Sequence, residues 1–176
     1  MKRMTVLAMA AAVLATGCET MSEDQCRKAD WFERGRTDGR NGEGEGFIDK
    51  HRRACAKANI APDDRRWRQG WAEGVRSYCV PRVAWQRGLD GSSYHGACRD
   101  FDEAVWLRWY RLGEDAYKTR SKRDAKNREI EQLEEQLKKA QKDDERKALR
   151  EKIRQLDEEQ AQLRRVLDQQ LRQAPR

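Results

Sequence analysis

The chain is expected to be all-α: a small disulfide-stapled helical domain followed by a long charged helix or helical hairpin of coiled-coil type. Three observations lead there. No stretch alternates apolar and polar residues as a half-buried strand would. An aromatic–Gly motif recurs at helical spacing between Trp31 and Ala116. Beyond Thr119 the sequence is almost wholly Lys, Arg, Glu, Gln, Asp, Ala and Leu, with apolar residues in heptad-like steps.

The first element is an address. Met1-Lys2-Arg3 precedes an apolar run from Met4 to Ala15, and Thr16-Gly17-Cys18 ends it. The cationic pair, the short apolar run and the small residues before a cysteine are similar to a bacterial lipoprotein signal peptide. The run is too short for a transmembrane helix, which needs about 20 apolar residues. Residues 1–17 are therefore read as a cleaved signal, and Cys18 as the lipidated N-terminus. Ala15 stands three residues before the cysteine where Leu is commonest, with Leu14 one further back. Several acyl chains, at about 0.8 kcal/mol per buried methylene, would make release negligible. The resemblance also implies sorting: Asp after the lipidated cysteine signals inner-membrane retention, and here that residue is Glu19. The expected location is the periplasmic face of the outer membrane.

Losing Lys2 and Arg3 reduces 38 basic side chains to 36 against 31 acidic, so the net charge falls from +7 to +5. A surplus that small, interspersed along the chain, is no nucleic-acid footprint and fits solvated helix faces.

All 13 aromatic residues lie between Trp31 and Tyr117, and 11 of the 12 glycines lie between Gly35 and Gly113, which bounds the head. The expected divisions are 1–17, 18–117 and 118–176. A domain of this size needs help to hold its core. Cys26, Cys55, Cys79 and Cys98 supply it as two disulfides, each contributing on the order of 3 kcal/mol. No C-x-x-C pair exists and the spacings of 29, 24 and 19 residues match no zinc pattern; no metal is expected. Four cysteines allow three connectivities. Cys26–Cys55 with Cys79–Cys98 closes the shortest loops and is favoured, with the others open.

Within the head, Ser22 with Gln25 forms a capping box for a helix over 23–41. Gly42 to Gly46 break the chain, and a short helix over 47–58 carries Cys55. Asp63 or Asp64 caps a helix over 64–79. Pro81 opens another to Asp90, a turn-rich loop spans 91–96, and a long helix begins near Asp100.

The motif reads Trp31-x3-Gly35-x3-Gly39, then Trp67-x2-Gly70-Trp71-x2-Gly74, then Trp85-x2-Gly88-x2-Gly91, with a degenerate copy Trp109-x3-Gly113. Residues four apart share a helix face, so Gly35 with Gly39, and Gly70 with Gly74, each make a notch. Glycine costs about 1 kcal/mol relative to Ala in a helix, so the placements require a packing return. Two such helices can approach closely, an indole of one lying over the bare backbone of the other. The functional alternative is a glycan or peptidoglycan platform in which Trp31, Trp67, Trp71, Trp85 and Tyr94 stack on sugars.

The order Cys26-x3-Asp30-Trp31, Gly35-x2-Asp38-Gly39-x2-Gly42, His51-x3-Cys55, Gly70-x3-Gly74-x3-Tyr78-Cys79 and Gly88-x2-Gly91-x2-Tyr94-x-Gly96-x-Cys98 resembles an uncharacterised family of bacterial envelope lipoproteins, domain of unknown function 2799. The likeness covers about residues 18–117. It implies a lipid-anchored, periplasmic, α-helical protein with no assigned activity and no catalytic residues.

Reactive groups are few. His51 precedes Cys55 by four residues and His95 precedes Cys98 by three, but an oxidised cysteine attacks nothing. Both imidazoles are expected at the surface or in hydrogen bonds. Ser92 and Ser93 lack a nucleophile elbow. Asp38, Glu73 and Asp90 are expected to pair with nearby arginines. An enzyme is not expected, nor any cofactor beyond lipid on Cys18.

In the tail, Ile130, Leu133, Leu137 and Ala140 make one seam, and Leu149, Ile153, Leu156, Leu163 and Leu167 a second with Gln160 at a core position. At about 100° per residue the second stripe is rotated by about 140° from the first. A break near Lys142-Asp143-Asp144, with Asp144 as cap, predicts an antiparallel hairpin. One unbroken rod is the alternative, since no Gly or Pro enforces a turn, and from residue 120 it would reach roughly 80 Å. The anticipated role is a structural or protein-interaction module, with self-association through the tail and envelope proteins or peptidoglycan as partners.

Overall fold

The structure, a computed structural model, describes residues 20–175. The expected signal peptide and lipidated Cys18 lie outside the described residues. Seven α-helices follow in order: α1 (Glu23–Arg27), α2 (Trp31–Asn41), α3 (Ile48–Cys55), α4 (Asp64–Tyr78), α5 (Pro81–Leu89), α6 (Glu103–Lys139) and α7 (Asp143–Leu171). Short 3-10 turns at Glu45–Phe47 and Ala56–Ala58 flank α3, and no strand occurs among the described residues.

The Ser22–Gln25 capping box forms as expected, but the helix it starts ends at Arg27. The single helix over 23–41 is corrected to two. Asp30 accepts from the amides of Phe32 at 2.9 Å and Glu33 at 3.3 Å, a stronger start signal than helix continuation could override. Downstream, Asp63 caps α4 through the Arg66 amide, Pro81 opens α5, and Asp102 caps α6, which starts at Glu103 rather than near Asp100.

The glycines pair the helices two by two. A Cβ on Gly35 would lie 2.0 Å from the Trp67 carbonyl oxygen, one on Gly70 1.9 Å from that of Phe32, and one on Gly74 2.1 Å from that of Arg36. Gly39 meets the Trp71 carbonyl in the same way. So α2 and α4 lie backbone against backbone, and the picture of an indole laid over the notch is corrected to carbonyl-on-glycine contact, which favours Cα–H···O interactions. Gly88 and Gly113 do the same for α5 and α6, facing the carbonyls of Tyr110 and Trp85. The degenerate fourth motif is thus the partner of the third. Gly91 is not in this interface: its φ is +67° and the Tyr117 ring covers it, so it serves as a left-handed turn after α5.

Two staples hold the head: Cys26–Cys55 joins α1 to α3, and Cys79–Cys98 joins the end of α4 to the loop before α6, both with Cα atoms 5.6 Å apart. The favoured connectivity is the one present. A single core built on Trp67, Trp71, Val75, Tyr78 and Trp106 runs through both helix pairs.

The tail is a hairpin. Ile130 and Leu133 of α6 bury against Leu149, Ile153 and Leu156 of α7. Farther along, Leu167 returns to the head and packs with Trp85, Ala116, Leu89 and Leu112. A boundary at 117/118 therefore falls inside α6, and the end of α7 belongs to the head's packing. Asp144 is not the cap: Lys142 stands at the N-cap of α7 with no side-chain cap bond, and Arg146 reaches back to the carbonyls of Leu137 at 3.0 Å and Ala140 at 2.9 Å. That guanidinium closes the carbonyl end of α6, as a cation at a helix C-terminus should. Leu163 lies beside the seam, half-buried next to the exposed Val166.

Gln160 occupies its predicted core position, donates to Asn127 Oδ1 at 2.9 Å and accepts from Arg164. A polar residue at such a seam fixes register at a cost in stability. Gln160→Leu is expected to stabilise the hairpin by about 1 kcal/mol while admitting a second register. Thermal unfolding and doubling of tail amide resonances check the two halves of that statement; a less stable variant with a single resonance set contradicts it.

Candidate functional site

The one buried polar cluster that unites several elements of the head centres on Asp38. From α2, its Oδ2 accepts from His51 Nε2 of α3 at 2.7 Å and from Trp67 Nε1 of α4 at 2.9 Å. With the Nε2 proton directed to the carboxylate, Nδ1 accepts from the Thr20 hydroxyl at 2.9 Å. His51 is 1% exposed and Asp38 4%. Trp31 and Phe47 wall the imidazole, the Phe47 ring standing edge-on at 5.1 Å.

A hydroxyl, an imidazole and a carboxyl in series resemble the order of a hydrolytic triad. Here the chain is closed in the core, the carboxyl is shared with an indole, and the hydroxyl belongs to the N-terminal segment. Next to it Met21 is 2% exposed. What the cluster does is hold Thr20 and Met21 into the head. Asp38 was expected to pair with arginine; its position on the inward face of α2 delivers it to His51 instead. Glu73 does pair with Arg36, at 3.6 Å, whereas Asp90 accepts from Gln86 at 2.9 Å.

The indoles offered as a stacking platform lie in the core. Trp31, Trp67, Trp71 and Trp85 are all buried, Trp67 fully so, and Trp67 stacks on Trp71. Trp71 Nε1 donates to the Glu43 carbonyl at 2.8 Å. Because packing consumes their faces, the expectation of a Trp31–Trp67–Trp71–Trp85 sugar platform is corrected. Tyr94 is half-buried, its ring 4.2 Å from Trp106, its hydroxyl donating to Glu103 at 2.7 Å and accepting from the Cys98 amide at 2.9 Å. His95 is exposed beside a cleft of about 340 Å³ that Gly44, Trp71, Arg99 and Asp100 also line.

Burial, reinforced by the hydrogen bond to Glu103, pushes the Tyr94 phenol from its ordinary 10 up to about 12. A raised folded-state value means the folded chain holds the proton more tightly. The stabilisation is complete below pH 10 and disappears as pH rises through about 12. Alkaline unfolding monitored by circular dichroism should begin in that window, with Tyr94→Phe moving its onset upward; an unchanged onset counts against this assignment.

Thr20 and the Asp38–His51–Trp67 convergence escape a reading of spacing, since the partners are separated by 31, 13 and 29 residues. The only signal was a histidine one turn before a cysteine. Among the described residues no group of three His, Cys, Asp or Glu could hold a metal, and no helix is long and apolar enough to cross a membrane.

The described residues thus define the molecule by class as an all-α domain of glycine-notched helix pairs with two disulfides. Residues 30–115 match the model of an uncharacterised family described as "Protein of unknown function (DUF2799)". No curated protein and no solved structure matches the chain.

Proposed function

We propose that this is a lipid-anchored protein of the bacterial outer membrane, facing the periplasm, that acts as a structural or protein-interaction module and not as an enzyme. The observation that carries the reading is the run Leu14-Ala15-Thr16-Gly17-Cys18, set directly before a domain with two disulfides. Disulfides belong to an oxidising compartment, which an exported lipoprotein reaches. The buried seam of the hairpin leaves its charged outer faces to meet envelope partners, with lipid on Cys18 as the sole added group and nucleic acid outside its reach. Peptidoglycan contact, on this reading, uses surfaces other than the buried indoles.

Metabolic labelling with an alkyne fatty acid tests the anchor. Labelling of the wild type, its loss in Cys18→Ala and recovery in outer-membrane fractions are expected. An unlabelled wild-type chain overturns the proposal. Cross-linking in intact cells tests the module: a discrete adduct is expected from the exposed faces of α6 and α7, and a monomer that captures nothing contradicts it.

A further inference from the structure

Resting on the proposed anchor at Cys18, we propose that the head does not ride on a tether but sits on the membrane surface, with the exposed cations of α3 against anionic phospholipid headgroups. Chain length decides the first half. If the docked structure began at Cys26, the eight residues from Cys18 could span up to about 27 Å and lift the head clear of the lipid. It begins earlier. Thr20 is hydrogen-bonded to His51 and Met21 is buried, so only two Cα–Cα steps separate Cys18 from the docked chain. Those steps reach at most about 7 Å. The headgroup layer on one side of a bilayer is itself about 5–7 Å thick. A stem that short cannot hold the head out of contact with it.

Charge complementarity selects the surface. Helix α3 receives Thr20 through His51 and is eight residues, so no side chain on it is more than about 12 Å along the axis from that point. Its outward positions include Lys50 and Arg53, one turn apart. Phe47 links this flank to the docking point, since its ring lies against His51 and carries Lys50 Nζ at 4.6 Å from its centre. Neighbouring acids are already engaged: Asp49 and Asp64 by Arg52, Glu23 by Arg27, Asp24 by Lys28. Lys50 and Arg53 have no carboxylate within ion-pair distance among the described residues. Basic residues beside a membrane anchor add attraction for anionic lipid that falls off within a Debye length. An anionic phospholipid surface is therefore the occupant this flank fits.

The test uses the acylated full chain in phosphatidylcholine vesicles with and without phosphatidylglycerol, carrying a photo-reactive benzoylphenylalanine in place of exposed Ala56 or of Lys138 near the hairpin tip. Lipid adduct at position 56 is expected to exceed that at 138 on the order of ten-fold, and to rise with phosphatidylglycerol. The surface pair Lys50→Gln and Arg53→Gln should cancel that rise without touching the core. Thr20→Val, which removes the hydroxyl, should lower adduct at 56 while leaving the acyl chains in place. Equal adduct at both positions, or yields indifferent to phosphatidylglycerol, overturns the proposal. Intact mass separates the two readings: an unacylated Cys18 is the failure of the anchor, an acylated chain without adduct at 56 the failure of the seated head.

Discussion

Gly70→Ala is expected to lower stability by about 3 kcal/mol, although alanine is the better helix former by about 1 kcal/mol. The added methyl would stand 1.9 Å from the Phe32 carbonyl oxygen, 2.7 Å from its carbon and 2.9 Å from the Arg36 amide nitrogen. All three are backbone atoms, so no rotamer change relieves the contact. Helix α2 would have to move as a body, yet it is held by the Asp30 cap and by the Asp38 bonds to α3 and α4. Overpacking of this kind costs about 1–3 kcal/mol where side chains can yield, and backbone contact belongs at the upper end. For a chain of this size the melting temperature should fall by about 10 °C. The control is Gly46→Ala, where nothing lies within 4 Å of the new methyl and φ is ordinary. There the loss of unfolded-state entropy predicts a gain of about 0.5 kcal/mol. Opposite signs from one substitution type, read by thermal circular dichroism, test the packing account; a Gly70→Ala protein that melts like the wild type refutes it.

Local features of the fold were legible where one residue type admits few uses. An even set of cysteines became two short-loop disulfides, and glycines four apart became close helix contacts. The 140° phase change between the Ile130 and Leu149 stripes predicted the hairpin, because one straight helix could not bury both against one partner. The rest depended on long-range geometry. Nothing in the spacing says that the first glycine motif pairs with the second and the third with the fourth, where Gly113 of the degenerate copy meets the Trp85 carbonyl. The return of Leu167 to Ala116 follows from the length of the hairpin arms, which only the turn at Ala140 sets. The tryptophans bear out the packing reading over the sugar-platform alternative. An aromatic beside a notch reads first as core, with a platform as the alternative, and which one it is depends on whether a second helix fills the notch.

The same dependence on distant partners makes Asp38 the position of largest expected effect outside the glycines. Asp38→Ala would strand two buried donors, His51 Nε2–H and Trp67 Nε1–H, on residues that are 1% and 0% exposed. Each unsatisfied buried donor costs about 1–3 kcal/mol, and loss of one partner of a buried polar pair about 3–5, so a loss of about 4 kcal/mol is expected. Asp38→Asn is the informative companion. Its Oδ1 can take the place of Oδ2 and accept from both donors, so the loss should be about 1–2 kcal/mol. The order wild type, Asn, Ala in urea midpoint is what a structural clamp predicts. The clamp also predicts coupling to the N-terminus: with Asp38 replaced, the imidazole is no longer oriented, and Thr20→Val should then cost little. A double-mutant cycle on Thr20 and Asp38 reads that coupling directly. Additive losses would mean that Thr20 is held by Met21 burial alone and that the imidazole transmits nothing to the stem. A coupling approaching the full cost of Thr20→Val would mean that the core carboxyl of α2, through His51, sets how far the first residues of the chain can part from the head.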